Sequence, residues 1–351
     1  MEAAFATTGR YFEDFRLGET IVHATPRTLT AGDQALYTAL YGSRFAVQSS
    51  DEFARALGYP KSPIDDLLAF HIVFGKTVPD ISLNAVANLG YADCVFAKPV
   101  FPGDTLTASS EVIGLKENST GKTGTVYVRT TGLNQRGEAV LSYVRWVMVR
   151  KRDENAAPEA ARVPDLAKSV SAERLGGACP VFDRARYDFA LSGSPHRFGD
   201  YAPGDRIDHI DGTTVEEAEH MLATRLYQNT AKVHFNALSE SSGRFGRRLV
   251  YGGHVMSLAR VLSFNGLGNA FHIAAINGGR HTAPLFAGGT VFAWSEITGK
   301  AEIAGRGDIG ALHIVTRATR DLPCTEFPVE AGTAETPGVI LELDYWAVIP
   351  R

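Results

Sequence analysis

The sequence predicts an α+β protein in which one plan is written twice, each half a long apolar helix followed by antiparallel strands. Two observations give this prediction. An offset of 186 positions (198 minus 12) places Phe12, Asp14, Gly18, Ile21, His23, Thr28, Leu36, Thr38, Leu40, Tyr41 and Val47 on Phe198, Asp200, Gly204, Ile207, His209, Thr214, Leu222, Thr224, Leu226, Tyr227 and Val233 without a gap. With the offset reduced by one, 98–111 (KPVFPGDTLTASSE) falls on 283–296 (APLFAGGTVFAWSE). The second observation is the order of periodicities within each copy, in which helical spacing precedes strand alternation.

The first unit opens at 12–28 with turn residues and β-branched positions. A helix is predicted over 32–41, where Leu36 and Leu40 share a face. A second helix over 64–75 carries Leu67, Leu68, Phe70, His71 and Phe74 and is entered through Ser62 and Pro63, proline being suited to a first turn. Beyond Val86 the texture changes to strands: a turn at 101–105, an extended run at 106–113, and alternation over 124–131 with Val126 and Val128 on one side. A turn at 134–137 then leads into a long strand, 139–149. Glu, Ala and Pro accumulate over 151–168 and mark a linker. The predicted division is a first domain, 1–152, a linker, 153–168, and a second domain, 169–351.

The second unit repeats this order. The stretch 215–227 is helical, with Glu216, Glu217 and Glu219 near its start, where the helix dipole favours negative charge. The stretch 253–264 is the counterpart of the apolar helix, and strands follow at 290–297, 311–316 and 339–349, with Trp146 and Trp346 in similar places. A helix that is apolar nearly all round must be covered on more than one side. A curved antiparallel sheet wrapped round it does this, which is the hotdog arrangement. The prediction is a tandem (double) hotdog whose two sheets continue into one another.

With 351 residues the chain can hold two domains. No apolar run approaches the roughly 18 residues of a membrane span, and no basic segment followed by an apolar core opens the chain. Three cysteines, Cys94, Cys179 and Cys324, are odd in number and far apart, which favours reduced thiols and a cytoplasmic location. A formal net charge of −4 without a basic block argues against nucleic acid as a partner. No cluster has metal-ligand spacing, and neither a Walker-type loop nor a serine nucleophile elbow is present.

The informative segments are 226–236 (LYQNTAKVHFN) and 250–258 (VYGGHVMSL). A helix, a polar loop ending in His, and a glycine-containing entry into an apolar helix resemble the MaoC-like (R)-specific enoyl-CoA hydratases. Their loop reads G-D-x-N-P-x-H and their helix entry P-I-x-H-G-M. Aligned on His234, this chain has Asn229 at the family's Asp, Ala231 at its Asn and Lys232 at its Pro; the first copy has Ser43 and Gln48 where the second has Asn229 and His234. Longer stretches, 21–27 (IVHATPR), 40–51 (LYGSRFAVQSSD), 64–67 (IDDL) and 115–119 (LKENS), are similar to the mesaconyl-CoA hydratase family, the two-hotdog branch of that group. The resemblance implies reversible hydration of mesaconyl-C1-CoA to (2R,3S)-β-methylmalyl-CoA, a step in acetyl-CoA or glyoxylate assimilation. Coenzyme A is then part of the substrate and no separate cofactor is expected. The alternatives are a hotdog acyl-CoA thioesterase, a MaoC-like hydratase of other substrate range, and a non-catalytic acyl-CoA scaffold.

Dehydration of such a thioester removes a proton beside the carbonyl and a hydroxyl from the next carbon. Charge develops on the carbonyl oxygen, so donors must already point there. Gly252 and Gly253, at the start of a buried helix whose first N–H groups lack internal partners, suit that role. His234 is the candidate proton carrier. Asn229 either holds the water or caps a turn. His254, beside the glycines, is a secondary candidate. Asp65 and Asp66 either begin their helix as dipole partners or supply a carboxylate across the pair. Arg44, in the loop that mirrors 229–234, is the expected partner of the substrate carboxylate, and Arg247 and Arg248 are candidates for the CoA phosphates. A homodimer is expected for paired hotdog folds.

Overall fold

The computed structural model describes residues 7–157 and 160–351. In the first half, β1 (Thr20–Thr28) leads into α1 (Ala31–Tyr41). Helix α1 starts at a capping box: the Asp33 N–H donates to Thr30 Oγ1 (3.2 Å) and the Thr30 N–H to the Asp33 carboxylate (2.7 Å). Two short helices, α2 (Ala46–Ser49) and α3 (Asp51–Ala56), precede the long helix α4 (Asp66–Thr77). Every residue of α4 from Leu67 to Thr77 is buried, which is why its sequence is apolar on all sides. Full burial of each of Leu67, Leu68, Phe70 and Phe74 contributes about 1.5–3 kcal/mol. The strands β2 (Ala85–Phe96), β3 (Thr105–Glu117), β4 (Thr123–Leu133) and β5 (Ala139–Arg150) cover it.

Residues 160–201 form an irregular crossing, tied back to the first half where Arg162 bridges to Leu115. The second half follows with β6 (Arg206–Thr214), α5 (Glu217–Leu226), a 3-10 turn at Lys232–His234 and α6 (Ala237–Glu240). Next come α7 (Gly252–Leu262), α8 (Phe264–Leu267), β7 (His272–His281), β8 (Thr290–Glu302), β9 (Ile309–Arg320) and β10 (Gly338–Pro350). No helix among the described residues is long and apolar enough to cross a membrane.

All ten strands form one sheet in the order β1-β3-β4-β5-β2-β7-β10-β9-β8-β6, which reads the same from either end once halves are exchanged. The two halves join where β2 pairs antiparallel with β7, and Tyr91↔Gly279 and Cys94↔Ile276 exchange under an offset of 185 (276 minus 91, 279 minus 94). The double hotdog predicted from the repeat is the observed fold. Its duplication extends to buried polar chains: His23 Nε2 meets Ser110 Oγ (2.7 Å) and Ser110 meets Thr130 (2.8 Å), while His209 Nε2 meets Ser295 Oγ (2.8 Å) and Ser295 meets Thr316 (2.7 Å).

The two buried helices touch at equivalent residues. His71 Nε2 lies 3.2 Å from Ser257 Oγ, and the hydroxyls of Tyr41 and Tyr227 are 2.6 Å apart, each pair separated by 186 residues. Helices α4 and α7 run in opposite directions there: Tyr251, just before α7, packs on Phe74 near the end of α4 (5.9 Å), while Arg260, near the end of α7, lies within electrostatic reach of Asp65 at the start of α4. Helix α7 therefore begins near the C-terminal part of α4.

Candidate active site

The start of α7 is bare. Tyr251 occupies the N-cap position without a capping side chain, so the first N–H groups of the helix, those of Gly252 and Gly253, are left to an outside acceptor. Glycine is required at both positions by what surrounds them. A Cβ on Gly252 would come within 2.5 Å of the His281 ring, and one on Gly253 within 2.3 Å of the Tyr251 ring and 2.6 Å of His71.

His234 ends the 3-10 turn that follows α5, and its ring packs edge-on against Tyr251 with centroids 5.3 Å apart. Its Nδ1 donates to the carbonyl of Leu249 (2.9 Å), two residues before Tyr251. A carbonyl only accepts, so Nδ1 carries the proton and Nε2 keeps a lone pair. Burial lowers the His234 pKa to about 4 against the raising effect of the Leu249 carbonyl, with His220 lowering it further. The ring is thus a neutral base at ordinary pH.

A second imidazole, His281 at the end of β7, lies against Gly252, and its Nε2 is buried without a partner. Burial, and next the neighbouring His234, lower its pKa to about 4. His71 is lowered to about 3 by burial, then by His254 and His281. A helix start with free N–H groups, a neutral base and several polar atoms lacking partners can hold a thioester carbonyl and move a proton beside it.

The model that describes mesaconyl-CoA hydratase matches residues 2–314. The chain belongs to the mesaconyl-CoA hydratase family. It is similar to a mesaconyl-CoA hydratase of Cereibacter sphaeroides, 62% identical over 344 residues covering 98% of each chain. It is also similar to a β-methylmalyl-CoA dehydratase of Chloroflexus aurantiacus, 61% identical over 350 residues covering 99% of each. A crystal structure of a MaoC domain protein dehydratase from Chloroflexus aurantiacus superposes with a TM-score of 0.96 at 60% identity, covering 99% of both chains. A Mycobacterium tuberculosis protein with a double hotdog fold superposes with a TM-score of 0.73 at 24% identity over 98% of this chain and 99% of its own, which shows the fold alone.

The remaining sequence-based candidates of this mesaconyl-CoA hydratase family member fall in three places. Asn229 is buried close to the same loop, and its Oδ1 accepts the Ala231 N–H (2.9 Å), which shapes the turn towards His234. His254, in the first turn of α7, points into the core, where Nδ1 meets the Tyr41 hydroxyl at 2.8 Å. Asp65 and Asp66 lie at the entrance of α4. Asp65 accepts the Leu67 N–H (2.9 Å), and Asp66 accepts from His272 Nδ1 and the Ile273 N–H (both 2.8 Å). Burial, next to Asp66, raises Asp65 to about 6.

Arg44 is exposed and stacks over Phe264, 4.5 Å from the ring centroid, just past the C-terminal end of α7. An eleven-residue helix, about 16 Å long, separates that end from Gly252. The structure therefore does not bring Arg44 to the glycines. Arg247 is exposed and lies 3.8 Å over Phe286, while Arg248 turns to Glu217, which also holds His220.

Three features escaped the sequence: His281 and Tyr251 at the helix start, and the buried Arg145 of β5, which stacks on Phe74 beside Tyr251. Strand β7, with two glycines and two histidines at its ends, does not alternate. The signal in β5 was present, since strand period two puts Arg145 on the same face as Tyr143, Val147 and Val149. An arginine on a buried strand face is rarely without function or partner.

Proposed function

We infer that this chain catalyses the reversible hydration of mesaconyl-C1-CoA to (2R,3S)-β-methylmalyl-CoA. The observation that carries this is identity above 60% along nearly the whole chain to two relatives named for the two directions of that reaction.

In the dehydration direction the thioester oxygen lies on the N–H groups of Gly252 and Gly253. His234 Nε2 removes the proton from the carbon beside the carbonyl, and the electron pair moves onto the oxygen as an enolate. The helix start meets that charge with donors already aimed. Collapse of the enolate forms the double bond and expels the hydroxyl of the next carbon, which leaves as water with the proton carried by His234. Asn229, whose Oδ1 is engaged by the Ala231 N–H, has its amide N–H groups to hold the departing water. Arg247, exposed like Lys232 and Arg244 in the stretch between α5 and α7, supplies a cation for the phosphates of CoA.

The test is to mix the protein with mesaconyl-C1-CoA and follow enoyl-thioester absorbance and free thiol together. Loss of absorbance without thiol supports hydration; thiol release marks a thioesterase, and neither change marks a binding scaffold. His234→Ala should retain thioester binding while turnover falls about 10²–10⁴-fold.

A further inference from the structure

We propose that Arg145, on the inner face of β5, receives the free carboxylate of the acyl chain together with the hydroxyls of Tyr143 and Tyr251. This rests on the hydratase reading above and adds which residues select a dicarboxylic thioester.

Arg145 is wholly buried, yet no carboxylate forms an ion pair with it among the described residues. Its guanidinium donates to Thr77 Oγ1 (2.7 Å), reaches Ser82 Oγ at 3.4 Å and stacks on Phe74, 4.3 Å from the centroid. Its Nε has no partner. A guanidinium keeps its charge in proteins, so burial without a counter-ion is costly unless an anion is brought to it. Asp80, bonded to the neighbouring His23 (2.7 Å), is already engaged.

The surroundings supply a second, independent observation. The hydroxyls of Tyr143 and Tyr251 are buried and also lack partners. Tyr251 is the residue before Gly252, and its ring packs on both Phe74 (5.9 Å) and His234 (5.3 Å). Across the sheet, Arg145 is the register partner of Tyr91, which pairs in turn with Gly279 of β7, two residues before His281. Unfilled polar capacity thus runs from the helix start to Arg145. The buried arginines Arg260 and Arg320 differ: Arg260 donates to the Ala270 carbonyl and lies within electrostatic reach of Asp65, while Arg320 donates to the Ala334 and Thr336 carbonyls (3.1 and 2.6 Å) and pairs with Asp321 (3.5 Å).

In the proposed substrate the carboxylate is attached to the carbon that bears the hydroxyl. An arginine holding the carboxylate at one end and helix N–H groups holding the thioester at the other fix both reacting carbons relative to His234. Arg145 is therefore a binding residue that sets substrate class.

The experiment compares kcat/KM for mesaconyl-C1-CoA with that for 2-methylcrotonyl-CoA, in which a methyl group replaces the carboxylate. The wild type should prefer the dicarboxylic thioester, and Arg145→Gln should lower that ratio at least about 100-fold, mostly through KM. A merely structural arginine would lower both rates together; an unchanged ratio overturns the proposal. Should Arg145→Gln fail to fold, Tyr143→Phe decides: a ratio lowered about tenfold supports the proposal and an unchanged one overturns it. A wild type that hydrates both thioesters equally defeats this inference alone, whereas one that hydrates neither defeats the hydratase reading as well.

Discussion

Asp66 and Gly252 hold the same position in the two halves, the first residue of the buried helix, 186 residues apart (252 minus 66). In the first half the helix entrance is occupied by its own carboxylates: Asp65 caps the Leu67 N–H and Asp66 is held by His272 and the Ile273 N–H. In the second half the same place carries no side chain. Duplication thus left one open helix start and one that is closed by the chain itself. Gly252→Asp should recreate the closed state, because its Cβ would meet the His281 ring and its carboxylate would compete with the thioester oxygen for the helix N–H groups. We expect kcat to fall about 10²–10³-fold, measured by enoyl absorbance, with an unchanged fold by circular dichroism.

With His234 as the proposed base, protonation of its ring sets the acid limb of the rate. Burial lowers its pKa to about 4, so the imidazole is neutral and able to accept a proton throughout the ordinary pH range. Turnover should therefore hold nearly level down to about pH 5, halve near pH 4 and approach a tenfold fall per unit below that as the ring is protonated. A kcat profile with its acid limb near pH 6.5 would show that the ring is not desolvated as described. In His234→Gln the limb should disappear along with most of the activity.

Stability should share this acid sensitivity. His71 and His254 are lowered to about 3, and His209, His234 and His281 to about 4, burial being the largest cause in each. Their folded values lie below the unfolded value near 6.5, so between the two the unfolded chain binds more protons. Stability is then fully present above about pH 6.5 and is lost as pH falls towards the folded values, by about 1.4 kcal/mol per pH unit for each imidazole that stays neutral only in the fold. Urea midpoints from pH 8 to 4.5 should decline with that sign, and His71→Gln should make the slope shallower.

The fold was readable because both signals that specify it are local: the apolar all-round helices 64–75 and 253–264, and the alternating strands that follow them. The repeat supplied the pairing of halves. What stayed hidden depends on contacts far apart in the chain. Strand β7 is central in the sheet, where Gly279 lets the Tyr91 ring approach (a Cβ there would lie 3.0 Å from it), so packing rather than alternation shaped its sequence. His234 and the two glycines, which the structure brings together around Tyr251, could be picked out because they lie within neighbouring segments of one motif. Mirror symmetry of the loops points to Arg44, but antiparallel packing of α4 and α7 carries each loop to the opposite end, so Arg44 lies against Phe264, at the end of α7 away from the glycines.

Near its C-terminal end, α4 also comes very close to the chain that follows α5. A Cβ on Gly75 would lie 1.9 Å from the Tyr227 carbonyl oxygen and 3.4 Å from the Asn229 nitrogen. Tyr227 cannot retreat easily, since its N–H donates to the Ala223 carbonyl and its hydroxyl is held by Tyr41. In an ordinary helix interior, glycine to alanine is favourable by about 1 kcal/mol. Here the clash reverses the sign, and Gly75→Ala should cost about 1–3 kcal/mol, read as a lower urea midpoint at unchanged m. Because the displaced backbone leads directly into the 229–234 loop, kcat should fall as well. Gly199→Ala, where an added Cβ would meet nothing within 4 Å, should stay within about 0.5 kcal/mol of the parent. Equal effects at the two glycines would mean that α4 and the Tyr227 carbonyl do not make the contact on which the loop's position rests.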